Sequence, residues 1–111
     1  MASHSRDNGE TWSAARDTDI PNPGSSLEVI VLRDGRWLIV YNDSTQSRDN
    51  LTVAISEDEG KPWPLKRRLE PQSVGATSFA YPSVIQSADG AVHITYTCKG
   101  PRGGRIRHGI L

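Results

Sequence analysis

Hydrophobic residues fall in short runs separated by turn-forming residues, and within the runs they recur every second position. Leu51, Val53 and Ile55 alternate with Thr52, Ala54 and Ser56, and Val92, Ile94 and Tyr96 alternate with His93, Thr95 and Thr97. Successive side chains of a β-strand point to opposite faces, so this alternation predicts strands with one buried face. Runs at 27–32, 37–42, 51–56, 81–86, 92–97 and 105–111 predict six strands. No stretch carries the 3.6-residue stripe of an amphipathic helix, and the chain is expected to be all-β. Asp34-Gly35 and Asp89-Gly90 each sit between two runs, where a primed hairpin turn needs residues that tolerate positive φ. Pro21-Asn22-Pro23-Gly24 and Pro101-Arg102-Gly103-Gly104 read as connections.

The chain also repeats itself. Ser5-Arg6-Asp7-Asn8-Gly9-Glu10-Thr11-Trp12 matches Ser56-Glu57-Asp58-Glu59-Gly60-Lys61-Pro62-Trp63, an offset of 51 from Ser5 to Ser56. The Asp34-Gly35 hairpin matches Asp89-Gly90 at an offset of 55. A period near fifty residues with four short strands per unit is the arithmetic of a propeller blade. Two periods make about two blades, whereas a closed ring holds roughly four to eight. The expectation is therefore a section of a propeller, which either meets its missing blades or self-associates.

Composition narrows the functional classes. The 111 residues suit one domain, and 35% hydrophobic content gives a thin core. Lys+Arg and Asp+Glu number 13 each, so no basic footprint for nucleic acid is present. The single cysteine, Cys98, excludes an internal disulfide framework and a multi-cysteine metal site. No apolar run approaches the roughly 18 residues of a membrane helix, and MASHSRDNGE carries no apolar signal region. His4 and His108 lack zinc-ligand spacing, and His93 is placed on the exposed face of its strand, so no metal or other cofactor is expected. Lys66-Arg67-Arg68 reads as the solvated outer strand of a blade. Asn42-Asp43-Ser44 and Asn50-Leu51-Thr52 fit the glycosylation acceptor pattern, and neither is expected to be used.

The octapeptide S-x-D-x-G-x-T-W, complete at Ser5–Trp12 and degenerate at Ser56–Trp63 where Pro62 replaces Thr, resembles the Asp box of sialidase-type propellers. Its residue types suit a hairpin: Asp7 and Asp58 can accept backbone N–H bonds, Gly9 and Gly60 supply positive φ, and Trp12 and Trp63 can fill gaps between sheets. In that family the box is structural, and the repeat places the two aspartates in different blades, which argues against a catalytic carboxylate pair. From Arg48 onward, RDNLTVAISEDEGKPW, SFAYPSVIQSADGAVHITYT and GGRIRHGIL are similar to the last part of bacterial exo-sialidases.

The resemblance implies an exo-sialidase-like glycoside hydrolase acting on a terminal acidic sugar. Arg48 would bind the sugar carboxylate, because a planar guanidinium makes a bidentate bond that a lysine reproduces poorly. Tyr81 would be the nucleophile, a neutral phenol that the substrate carboxylate does not repel. Glu28 is a candidate activating base, although counting from the first hairpin puts Ser26 at the family glutamate, two residues earlier on the same strand face. Another family arginine falls on Asn42, and the acid/base aspartate and the first arginine belong to earlier blades, so the chain alone is expected to be inactive. The plainer readings are a solvated loop charge for Arg48, an ordinary strand aromatic for Tyr81 and an ordinary exposed strand carboxylate for Glu28. The alternative function is a non-catalytic carbohydrate-binding or scaffold propeller, and a third is a different hydrolase on the same blades.

Overall fold

The computed structural model describes residues 1–70 and 78–111, and the backbone alone of Glu70. The alternating runs form two antiparallel sheets. The first has four strands in the order β1 (Glu28–Val31), β2 (Trp37–Tyr41), β3 (Leu51–Ser56) and β4 (Leu65–Glu70). The second has three, β5 (Ser78–Gln86), β6 (Val92–Gly100) and β7 (Gly103–Ile110). Within each sheet the strand order follows the chain order, so each connection inside a sheet joins neighbouring strands, as in the meander of a blade. The all-β expectation holds, with a three-stranded second sheet among the described residues.

Period-two alternation explains which faces meet. Leu38 and Val40 of β2 and Val53 of β3 pack against Phe79, Val84, Ile94 and Tyr96 of the second sheet, forming the main core. The Phe79 and Tyr96 rings meet edge to face at 6.2 Å. The opposite face of the first sheet carries Ile39, Tyr41 and Ala54, covered by Ile20 and Trp63. With cover on both faces, β2 is buried along most of its length rather than alternating. β4 is the cationic edge strand that Lys66-Arg67-Arg68 suggested, and all three side chains are exposed.

Both Asp-Gly hairpins exist, with a different turn from the one expected. In the first, Gly35 N–H bonds Leu32 O at 2.9 Å and Leu32 N–H bonds Arg36 O at 2.8 Å. In the second, Gly90 N–H bonds Ser87 O at 2.9 Å and Ser87 N–H bonds Ala91 O at 2.8 Å. Only the glycines take positive φ, 90° at Gly35 and 91° at Gly90. Each is thus a three-residue loop ending in a left-handed glycine, not a primed turn. The Pro101–Gly104 connection is also shorter than expected: Gly100 pairs with Gly103, and Gly103 and Gly104 belong to β7.

The repeated octapeptides adopt one backbone form. Asn8 and Gly9 have φ of 60° and 88°, and Glu59 and Gly60 have 51° and 87°. The serine hydroxyl accepts the glycine N–H at 2.8 Å in both, Ser5 from Gly9 and Ser56 from Gly60. Asp7 further accepts the Thr11 N–H at 2.8 Å and the Thr11 hydroxyl. Pro62 has neither donor, so Asp58 lacks the two bonds that Thr11 gives Asp7. Trp63 is half-buried on the outer face of the first sheet, as a gap-filling role requires. Trp12 departs from that role at 63% exposure, with its indole N–H turned to Gly9 O at 3.0 Å. Among the described residues no strand lies against it.

Candidate functional site

The two sheets are tied at both ends by polar contacts between neighbouring edges, and one of these ends carries the predicted site. At the hairpin end, Arg33 N–H bonds Gln86 Oε1 at 2.8 Å and its guanidinium donates to Ala88 O at 2.9 Å and to Ser87 O. At the opposite end, Phe79 N–H donates to Arg48 O at 2.8 Å. That bond places the loop carrying Arg48 beside the stretch of β5 that leads, two residues on, to Tyr81.

Tyr81 is held unusually. β5 pairs with β6 in register up to Ala80↔Thr97 and resumes at Ser83↔Thr95, so Tyr81 and Pro82 together oppose Tyr96. This is a β-bulge, which redirects side chains and often borders functional sites. Tyr81 takes φ of 52° and is 69% exposed. A bulky residue in the left-handed region is strained, and a following proline disfavours helical conformations of the residue before it still further. The sequence predicted an aromatic at a strand start; the structure gives β5 three more residues before it and turns the phenol into solvent.

The Arg48 loop is braced by its own side chains. Ser44 Oγ accepts the N–H groups of Gln46 and Ser47, both at 3.1 Å, and the Ser47 hydroxyl donates to Asp49 at 2.8 Å. Asn50 Oδ1 accepts Asp43 N–H at 2.8 Å. Arg48 is half-buried within this frame, with no salt bridge to a carboxylate among the described residues. It is not a freely solvated charge.

The other site positions are occupied with structure. Glu28 is half-buried, and its Oε2 accepts Val84 N–H at 2.6 Å, capping the exposed edge of β5 from β1. The plain reading of an exposed strand carboxylate is therefore corrected, because the two sheet edges lie side by side. Ser26 is exposed. Asn42 is fully buried: its Nδ2 donates to Asn50 O at 2.7 Å and Phe79 O at 3.1 Å, and its Oδ1 accepts the Ser25 hydroxyl at 2.5 Å. With Asn50 3% exposed, neither glycosylation pattern presents an accessible asparagine.

Two further features escaped the sequence. Among the described residues the buried Tyr41 hydroxyl has no hydrogen-bond partner, and burial, with the nearby Asp43 carboxylate second, pushes its pKa up to about 12. His93 Nδ1 and His108 Nε2 lie 2.9 Å apart across β6 and β7. Their ring planes are 8° apart and the centroids 5.1 Å, about that bond plus two ring radii, so the rings meet edge to edge. His93 is consequently half-buried rather than exposed. Among the described residues no three His, Cys, Asp or Glu side chains gather to hold a metal. The pairing of these histidines depends on strand register, which no local pattern shows.

Chemically, an exposed phenol and a braced guanidinium stand on segments joined by a backbone bond. A guanidinium suits a carboxylate and a phenol a hydroxyl, and Glu28 is engaged elsewhere. No curated protein matches the chain. A family model, the BNR repeat-like domain, matches residues 1–94, which contain both octapeptides, Arg48 and Tyr81. BNR repeats occur in sialidases and in other proteins built from the same repeat. The chain belongs to the BNR repeat-like domain family.

Proposed function

We propose that the chain is part of a sialidase-like propeller in which Arg48 takes the carboxylate of a terminal acidic sugar and Tyr81 presents its phenol to the same residue. The observation that carries this reading is the strained, solvent-directed Tyr81 on a bulge whose strand is bonded to the Arg48 loop. Strain of this kind is kept where the surroundings over-determine it, which is commonest at functional sites. In an intact propeller a base outside this chain or a released Glu28 would take the Tyr81 proton as the phenolate oxygen attacks the anomeric carbon and the glycosidic C–O bond breaks; the acid/base aspartate of an earlier blade would protonate the departing oxygen, and water would then hydrolyse the tyrosyl–sugar bond. A second reading, sugar binding without hydrolysis, is favoured by the Glu28 carboxylate being committed to Val84 N–H at 2.6 Å.

The test is a titration of the chain with N-acetylneuraminic acid, followed by NMR. Shifts concentrated at 43–50 and 79–83 are expected, abolished in Arg48→Ala and strongly weakened in Arg48→Lys, which keeps charge but loses the fork. Equal binding by all three proteins would refute the site. Hydrolysis is separated from binding in a complete propeller: there Tyr81→Phe is expected to lower turnover by orders of magnitude if the phenol is the nucleophile, and to weaken binding far less than it lowers turnover, because Arg48 still holds the carboxylate.

A further inference from the structure

We propose that Asn42 is a positioning residue, a buried clamp that sets the Arg48 loop against the Tyr81 bulge. The proposal rests on the acidic-sugar reading of that site. Asn42 follows β2 directly and is 0% exposed. Its amide has two hydrogens and uses both: one closes the base of the Arg48 loop at Asn50 O, the other crosses to Phe79 O in the second sheet. Its carbonyl oxygen accepts the Ser25 hydroxyl, from the segment that leads into β1. One side chain thus joins the approach to β1, the loop base and β5, and at 0% exposure it does not meet a ligand directly.

Phe79 shows why this matters for the site. Its N–H bonds Arg48 O and its C=O accepts Asn42 Nδ2, so both main-chain groups of Phe79 turn away from β6. On the free side of an edge strand, the loop and Asn42 take the place of a neighbouring strand. The strained Tyr81 lies two residues further, beyond the end of this anchorage and before the register resumes at Ser83. Losing the amide donors would set a buried acceptor against two carbonyl oxygens and part the loop from the strand. Tyr81 would then be free to relax toward negative φ and re-aim its phenol. Misplacement by about 1 Å is sufficient to weaken a two-point recognition site severely.

Asn42→Asp, close to isosteric but without donors, is compared with Ser25→Ala, which removes only the contact on the carbonyl side. The 111-residue chain is used, with three readouts: thermal stability, amide exchange at Phe79 together with Tyr81 chemical shifts, and Kd for N-acetylneuraminic acid. Asn42→Asp is expected to speed exchange at Phe79, shift Tyr81 and raise Kd by about tenfold or more. Ser25→Ala is expected to lower stability while leaving Tyr81 and Kd unchanged, a split that a purely structural role for Asn42 would not produce. An Asn42→Asp protein with faster Phe79 exchange but unchanged Tyr81 shifts and Kd overturns the proposal. Should that variant not fold, Asn42→Ser, too short to bridge both carbonyls, is read by the same criteria. If Arg48→Ala binds the sugar as well as the parent chain, the sugar reading has failed, and the Tyr81 shifts alone then decide the positioning claim.

Discussion

Asp7 and Asp58 occupy the same place in the same turn and differ in what surrounds the carboxylate. Asp7 accepts from the Thr11 hydroxyl, the Thr11 N–H and the Ser5 hydroxyl, and these bonds, in that order, hold its pKa down to about 2 against the usual 3.8. A lowered folded-state pKa means that the carboxylate's contribution to the first box is complete above the unfolded value and disappears as pH falls through about 2. A carboxyl-carbon NMR titration should place Asp7 near 2, and Thr11→Val, which removes the leading donor, should move it upward; an unmoved midpoint would contradict the assignment. Tyr81 makes the converse case, a residue held against its preference. Asparagine tolerates the left-handed region, so Tyr81→Asn should keep or raise thermal stability while abolishing sugar binding. A clear fall in melting temperature would show that the exposed ring has a packing role instead.

At the scale of elements, the strands were legible because alternation and turn residues are local signals. The runs at 51–56 and the second half of β5 appear where the pattern put them. The turn type was not, since an Asp-Gly pair suits both a primed turn and a three-residue loop, and strand pairing chooses between them. Trp12 and Trp63 end matching boxes but differ in what lies over them, which no octapeptide encodes. Trp63→Ala should therefore destabilise by roughly 2 kcal/mol, below the range for a fully buried tryptophan, while Trp12→Ala should remain within about 0.5 kcal/mol. Equal effects in denaturant melts would mean that Trp12 is covered in solution. The candidate site divides in the same way: Arg48 and Tyr81 were nominated by residue type and motif, and their roles are a proposal. Glu28 capping Val84, Asn42 reaching Phe79 and His93 meeting His108 depend on which edges and registers adjoin, and that is a property of the assembled sheets.

The whole molecule is two sheets sharing one core, with further apolar surface turned outward. On the second sheet Ile85, Ile106 and Ile110 are 61%, 71% and 62% exposed, and their register places them on the face opposite the core. On the first sheet Val31 is 63% exposed. Exposed apolar side chains on a sheet face favour association, as expected of blades that stack on neighbours. Light scattering should show concentration-dependent self-association of the chain, reduced by replacing Ile106 and Ile110 with Lys; a monodisperse monomer at high concentration would show that these faces are tolerated bare. That the Arg48 loop and the Tyr81 strand, joined at Phe79 N–H and Arg48 O, bind a carboxylate-bearing sugar is our proposal. It is tested most directly by the affinity of the chain for N-acetylneuraminic acid relative to its methyl ester, which keeps the ring and removes the charge. The account predicts binding of the ester weaker by about tenfold or more, the loss of one charge-assisted bidentate contact. Equal affinities for the acid and the ester would contradict it.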